Sequence, residues 1–253
     1  MSRVSNSISL RMLVVFAIWI VGCVGGSTVE QSDVTSERPQ IEARTEPQTV
    51  EQQTRTFRVS VDGIERGEMT MLLAKQSDGT ETMHGQAELS FNFIVYKYRY
   101  SSSGTEVWKS GRLIEFANEA NHNGHKYVVQ ASAQQQDLAI EVNGESHSVE
   151  ADVWVTSYWS EPDSRKNGQQ LALLTADKGQ LLTGTLQCVG PEQITIAENS
   201  VNATRYQIRG DVEVDLWYDD EHRLIRQSAQ ESGHRVLMEL IRKSATSPLE
   251  SGD

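Results

Sequence analysis

Two cysteines, six histidines and thirty-five carboxylates are the reactive stock of this 253-residue chain, and their spacing limits the chemistry each can do. Cys23 closes the run Ile20-Val21-Gly22-Cys23. That is the pattern of a bacterial lipobox, in which the thiol takes a diacylglycerol before the leader in front of it is cut away. The upstream residues agree: Arg3 and Arg11 come before an uninterrupted apolar run from Met12 to Val21. A positive start, a short apolar stretch and small residues make a secretory signal. The ten apolar residues of that run, at about 1.5 Å each, fall well short of a bilayer core of about 30 Å. Residues 1–22 are therefore expected to be a lipoprotein signal peptide and Cys23 the lipidated residue. Cleavage near Gly25-Gly26 and a retained anchor helix are the alternatives. Val24, rather than Asp, follows the cysteine, which points to an outer-membrane lipoprotein facing the periplasm, with secretion into the periplasm as the alternative. Cys188 is then left without a partner and reads as a small buried hydrophobe.

The other reactive residues form no recognisable machinery. His122-Asn123-Gly124-His125 places two imidazoles three apart around a turn, but a metal site needs a third and usually a fourth ligand; the reading is a polar turn. Asp219-Asp220-Glu221 lacks the alternating spacing and glycine of a calcium loop and reads as a solvated turn. Nucleophile elbow, P-loop, His-Glu-x-x-His and dinucleotide fingerprints are all missing from the sequence, so no catalytic residue, metal or cofactor is assigned. Aromatic residues are the most informative set left. Tyr96, Tyr98, Tyr100, Trp108, Tyr158 and Trp159 are the candidate ligand-binding residues, because ligand sites are mostly apolar with a few placed polar groups; core packing is the competing reading for each. Val153-Trp154-Val155 with Tyr158-Trp159 reads as a short helical turn or lid across one barrel mouth.

These side chains are carried by strands. Phe57, Val59 and Val61 alternate with polar neighbours up to Asp62-Gly63, and Leu138, Ile140 and Val142 do so up to Asn143-Gly144; both are hairpin signals. Val212, Val214, Leu216 and Tyr218 repeat the pattern before the turn at 219–222. Further turn signals at Ser77-Asp78-Gly79, Ser110-Gly111, Asn123-Gly124, Lys178-Gly179 and Ser232-Gly233 predict an all-β domain with little helix. The expected architecture is a curved antiparallel sheet of about ten to thirteen strands forming a barrel or half-barrel. In Ser90 to Tyr100 the large residues switch from 91, 93 and 95 to 96, 98 and 100, which predicts a bulge near Ile94-Val95. With a bulge there, Phe91 and Phe93 lie deep and the three tyrosines lie nearer an opening. The domain is expected over residues 56–243. Before it, 23–55 is rich in Ser, Thr, Gln and Glu and reads as a disordered tether; 244–253 reads as a disordered tail.

From about Phe57 to Arg242 the chain resembles a bacterial family of exported domains of unknown function. The cues are Phe57-Arg58-Val59 with Gly63 and Gly67, Glu106-Val107-Trp108-Lys109-Ser110-Gly111-Arg112-Leu113, Asn121-His122-Asn123-Gly124, Thr156-Ser157-Tyr158-Trp159, and Val214-Asp215-Leu216-Trp217-Tyr218-Asp219 with Arg223-Leu224. The resemblance implies a fold similar to the half-barrels of lipoprotein-carrier-like proteins, which hold acyl chains in a concave apolar pocket. It carries no reaction.

Charge excludes one class of partner. Twenty-three Lys and Arg against thirty-five Asp and Glu give a net charge of −12 with no basic cluster, so nucleic acid is not expected. The expected partners are a membrane, through the N-terminal lipid, and a lipid or amphipathic ligand. The sequence-based reading is thus a non-enzymatic, lipid-anchored envelope protein that binds an apolar ligand in a curved sheet. An envelope glycan hydrolase or lyase and a purely structural interaction domain are the alternatives.

Overall fold

The computed structural model describes residues 47–92, 97–150, 152–231 and 233–246. In chain order the strands are β1 (Thr49–Val61), β2 (Ile64–Gln76), β3 (Thr80–Asn92), β4 (Lys97–Lys109), β5 (Arg112–His122), β6 (His125–Gln134), β7 (Asp137–Val142) and β8 (Glu145–Glu150). They continue as β9 (Val153–Val155), β10 (Gln170–Leu174), β11 (Leu181–Ile196), β12 (Asn199–Gly210), β13 (Glu213–Tyr218), β14 (Leu224–Glu231) and β15 (His234–Thr246). One 3₁₀ turn, Ser164–Lys166, is the helical element among the described residues, and no helix among them is long and apolar enough to cross a membrane.

All fifteen strands belong to one sheet, ordered β8-β7-β6-β5-β4-β3-β2-β1-β15-β14-β13-β12-β11-β10-β9. Two meanders run away from a central seam at which the first and last strands pair, from Gln52↔Thr246 to Val61↔Val236. Every pairing is antiparallel except β9 with β10. The hairpins form where the sequence marks them: Asp62-Gly63, Ser110-Gly111, Asn123-Gly124 and Asn143-Gly144 all hold positive φ at both positions, the twist-compatible turn of a two-residue hairpin.

The ladder does not close by hydrogen bonds between its end strands. Side chains bring the ends together instead, and the result is a nearly closed barrel. In the β10–β11 turn, Gly179 sits so close to β6 and β7 that an added Cβ would lie 2.8 Å from Val129 Cγ1 and 2.5 Å from Val142 Cγ2. Alternation then fills the interior: Tyr98, Tyr100, Ser102, Gly104, Glu106 and Trp108 of β4 all face in. One cluster of buried side chains runs from Phe57 to Met238. A smaller cluster on the outer face, Ile194, Ile196, Ala203, Trp217 and Ile225, is made where the β11–β12 hairpin folds over β13 and β14.

Four expectations are corrected. Among the described residues the strands number fifteen rather than ten to thirteen. One reason is the β11–β12 hairpin, which turns at Ala197-Glu198 with φ of 45° and 70°, a turn that no Gly, Asn or Asp announces. Another lies in residues 90–100, which are not one bulged strand: β3 ends at Asn92 and β4 begins at Lys97, so Phe91 pairs with Tyr98 across a hairpin. A change of strand shifts the alternation as a bulge would. Phe93 and Tyr96 lie outside the described residues. Tyr98 and Tyr100 are 3% and 2% exposed, as deep as Phe91 at 0%, so these two tyrosines do not rim an opening. Finally, β1 begins at Thr49 rather than Thr56, and β15 continues to Thr246. The early turns of β1 are hidden from a hydrophobicity reading because Gln53 and Arg55 are the residues it buries. The expected signal, the expected lipidation site Cys23 and most of the expected tether and tail lie outside the described residues.

Candidate functional site

β9 and the residues after it cross the barrel. β9 lies parallel to β10, from Ala172↔Val153 to Leu174↔Val155. Thr156 continues the contact, its N–H donating to Leu174 O at 3.0 Å and its Oγ1 accepting from Ala176 N at 3.1 Å. Tyr158, at φ 51°, turns the chain toward the opposite wall. There Tyr218 Oη of β13 donates to Tyr158 O at 2.9 Å, and Arg55 Nη1 of β1 donates to Trp159 O at 2.8 Å. Ser160 bridges to Arg223, which Asp219 and Glu221 hold from the β13–β14 turn. Thr156, Ser157, Tyr158 and Trp159 are all buried. The lid expected at one mouth is thus a short strand and an irregular crossing that passes through the interior.

Glu106 joins this crossing to the barrel wall. Its Oε2 accepts from Trp108 Nε1 at 2.8 Å and from Trp159 Nε1 at 3.1 Å. The carboxyl is fully buried, and burial raises its pKa from 4.5 to about 7 against the lowering pull of Ser157, Trp108 and Trp159. Two indoles from different elements are locked by one acid, and Trp154, which lines the same groove, packs edge-on to Tyr158 at 5.0 Å between ring centres. In front of them lies a groove of about 760 Å³, whose lining includes Trp108, Trp154, Trp159, Leu171 and Arg112. Volumes of about 300–1,000 Å³ are usual for small-molecule sites.

Charge in the groove is unevenly satisfied. Lys166 pairs with Asp152, and Arg165 pairs with Asp163. Arg112, which the Ser110-Gly111 turn places at the start of β5, has its Nε and Nη2 buried with no hydrogen-bond partner. Those two nitrogens form the edge with which a guanidinium meets a carboxylate or phosphate side-on. A buried donor left unmatched costs about 1–3 kcal/mol.

The other end of β4 carries a different cluster. His122, at the end of β5, accepts or donates at Nδ1 to Tyr98 Oη, 3.0 Å away, and its Nε2 stands 2.8 Å from Asp177 Oδ2. Asp177 comes from the same β10–β11 turn as Gly179, so this contact latches the two ends of the sheet. Tyr100 and Tyr127 pack edge-on to the imidazole, with ring centres 4.9 and 5.4 Å away. Burial, chiefly, holds the Tyr100 hydroxyl well above its ordinary pKa. An Asp–His–Tyr chain is proton-relay chemistry in principle, but here all three groups are buried. The polar-turn reading of His122 is corrected: Asn123-Gly124 turns, His125 is exposed, and His122 is core.

The six aromatic candidates do not share one pocket. Trp108 and Trp159 come together at the groove, joined by Trp154. Tyr98 and Tyr100 belong to the latch, ten and eight residues back along β4, or roughly 33 and 26 Å at about 3.3 Å per residue. Tyr158 lies within the crossing. Sequence reasoning missed Arg112, Glu106 and Asp177; the only signal for the first two was their place in the Glu106–Leu113 motif. Cys188 is half-buried rather than core, with its N–H bonded to Asn167 Oδ1 at 2.7 Å. Among the described residues no group of three or more His, Cys, Asp or Glu is placed to hold a metal ion.

Residues 57–241 match the family described as a domain of unknown function, DUF6134. The chain belongs to that family. The match spans the barrel from Phe57 to Ile241 and takes in the groove, the crossing and the latch. Among solved structures, a beta-barrel-like protein of DUF1849 from Brucella abortus is similar, with a TM-score of 0.60 at 7% identity over 78% of this chain and 99% of that one. At 7% identity the likeness is one of fold. A putative outer membrane lipoprotein-sorting protein domain from Vibrio parahaemolyticus aligns over 79% of this chain and 87% of its own, at 7% identity and a TM-score of 0.20. Among curated proteins, none matches the chain.

Proposed function

We propose that this DUF6134 protein is a non-enzymatic binding protein of the bacterial envelope, anchored through a diacylated Cys23, that takes an anionic amphipath such as a fatty acid or anionic lipid. The ligand lies in the groove at the Trp108 end of the barrel. The observation that carries this reading is the unmatched edge of Arg112 beside three tryptophans. An apolar tail resting on Trp154, Trp159 and Leu171 loses its contact with water, and a carboxylate or phosphate head supplies the acceptor that the guanidinium lacks. The barrel interior is not where a chain would run. It is filled by one continuous cluster of side chains and by the crossing at 156–159, so the concave acyl pocket implied by the resemblance is replaced by a surface groove at one end.

Lipid extracted with the purified full chain and identified by mass spectrometry tests the ligand. An anionic lipid or fatty acid enriched over the lipids of the source membrane is expected; a composition equal to the membrane's would overturn the ligand reading. Cys23→Ser tests the anchor separately. It should shift the protein from the membrane fraction to the soluble extract and abolish labelling by radioactive palmitate, and unchanged fractionation with no label on the parent contradicts the anchor.

A further inference from the structure

The chain enters the barrel beside the groove. Gln48 donates its N–H to Ser77 Oγ at 3.2 Å and accepts from Ser77 N at 2.8 Å. Asp78 follows in the same β2–β3 turn and pairs with Lys109 at 2.7 Å. Lys109 leads directly into Ser110, Gly111 and Arg112, which line the groove. The start of β1 is thus tied to the groove wall through one turn. β15 returns to the same end, where Thr246 pairs with Gln52. The latch lies at the other end: β1 runs 13 residues before the turn at Asp62-Gly63, about 40 Å of strand at about 3.3 Å per residue.

Cys23 stands 25 residues before Gln48. A polar tether of that length has a root-mean-square reach of about 25–30 Å. The groove end is within that reach of a membrane holding Cys23, whereas turning the latch end to the membrane would first take the chain along the full length of β1. Charge agrees with this placement. Acids near the entry and the groove carry basic partners: Asp78 with Lys109, Asp152 with Lys166, and Asp163 with Arg165. In a chain of net charge −12, this end therefore offers little repulsion to phosphate head groups, and Arg112 adds an unpaired cationic edge. Exposed pairs are weak, so Arg165, whose side chain is 88% exposed, loses little by exchanging a carboxylate for a phosphate.

We propose that the groove end of the barrel docks on the phospholipid head groups of the bilayer that holds the Cys23 anchor. This rests on the anchor and the groove proposed above. Docking needs little affinity of its own, because a tethered domain meets its own membrane at a high effective concentration. Trp154, half-buried at the groove, is the indole exposed enough to meet head groups, the depth at which tryptophan is favoured. Docked in this way, the groove opens onto the leaflet. An apolar tail that moves from the acyl chains to Trp154 and Leu171 then keeps its methylenes out of water, the exposure that opposes free transfer of a long chain.

Site-directed labelling of the full, anchored chain tests the docking. In a Cys188→Ser background, Gln136→Cys and Arg165→Cys place a fluorophore at the groove end, and His125→Cys and Lys97→Cys place one at the latch end; all four parent side chains are exposed. β6 runs from His125 to Gln134, which separates the two sets by about 30 Å at about 3.3 Å per residue. Each labelled protein is reconstituted in vesicles of phosphatidylethanolamine and phosphatidylglycerol, with and without nitroxide on the lipid head groups, and recovered by flotation. Groove-end labels should lose most of their emission to the nitroxide and latch-end labels little. Circular dichroism selects the folded variants, and one from each end suffices. Equal quenching at both ends, stronger quenching at the latch end, or none at either in floated protein overturns the docking and leaves the anchor standing. A parent that does not float contradicts the anchor, and the docking falls with it. Groove-end quenching in a protein that binds no fatty acid would uphold the docking and contradict the ligand alone.

Discussion

Glu106→Gln should flatten the pH dependence of stability, and the size of the effect follows from where the carboxyl sits. In the unfolded chain it titrates near 4.5; in the barrel, burial moves it to about 7. The folded state therefore holds the proton more tightly than the unfolded state. Its contribution to stability is complete below pH 4.5 and is lost as pH rises through 7. At about 1.4 kcal/mol for each tenfold change in proton affinity, the loss is on the order of 3 kcal/mol. Glutamine keeps an oxygen for the two indole N–H groups and does not ionise, while its amide can donate toward Ser157. Urea unfolding of parent and variant across pH 5 to 8 reads the difference. Other titrating groups, such as His84, whose pKa burial lowers, are present in both proteins and cancel. The variant should match the parent near pH 5 and exceed it by about 3 kcal/mol near pH 8. Parallel curves would refute the claim that a buried, ionisable acid locks Trp108 to Trp159.

Two further predictions concern barrel closure. Asp177→Ala breaks a buried pair and leaves His122 without its partner, so it should cost on the order of 3 kcal/mol in urea unfolding. In a double-mutant cycle with His122→Ala the two changes should be non-additive by roughly 1–3 kcal/mol; additivity would mean that the two side chains do not act together. Gly179→Ala places a methyl within 2.5 Å of Val142 Cγ2 at a φ of 62° and should destabilise by about 1–3 kcal/mol. An unchanged midpoint would show that the β10–β11 turn does not press on β6 and β7.

What the sequence showed and what it concealed follow a physical division. Hairpin dipeptides such as Asn143-Gly144 were legible because a two-residue turn is decided by the backbone preferences of its own residues. Ala197-Glu198 has no such preference and turns because its flanking strands pair. Alternation gave the inward face of β4 but not the end of the barrel at which each residue emerges. Tyr98 and Trp108 therefore looked like one set and belong to opposite ends. The buried polar residues were the least legible. Gln53, Arg55, Glu106 and Asn118 sit at inward positions that a hydrophobic pattern would leave blank, and Trp159, the distant partner of both Arg55 and Glu106, lies 104 and 53 residues away. Arg112 was invisible for a related reason: a guanidinium's lack of a partner is a fact of packing, not of sequence.

The most direct test of the account is binding of a dansyl-labelled fatty acid, followed by energy transfer from the tryptophans, to the parent and to Arg112→Gln, with the matching fatty alcohol as control. Arg112 lines the groove with its Nε and Nη2 unpaired, and a charge-assisted contact is worth about 1.5–3 kcal/mol, or roughly ten- to a hundredfold in affinity. The parent should bind the acid saturably and more tightly than the alcohol, and Arg112→Gln should lose that preference while keeping its affinity for the alcohol. No saturable binding to the parent, or an acid preference that survives Arg112→Gln, would contradict a groove built for an anionic amphipath.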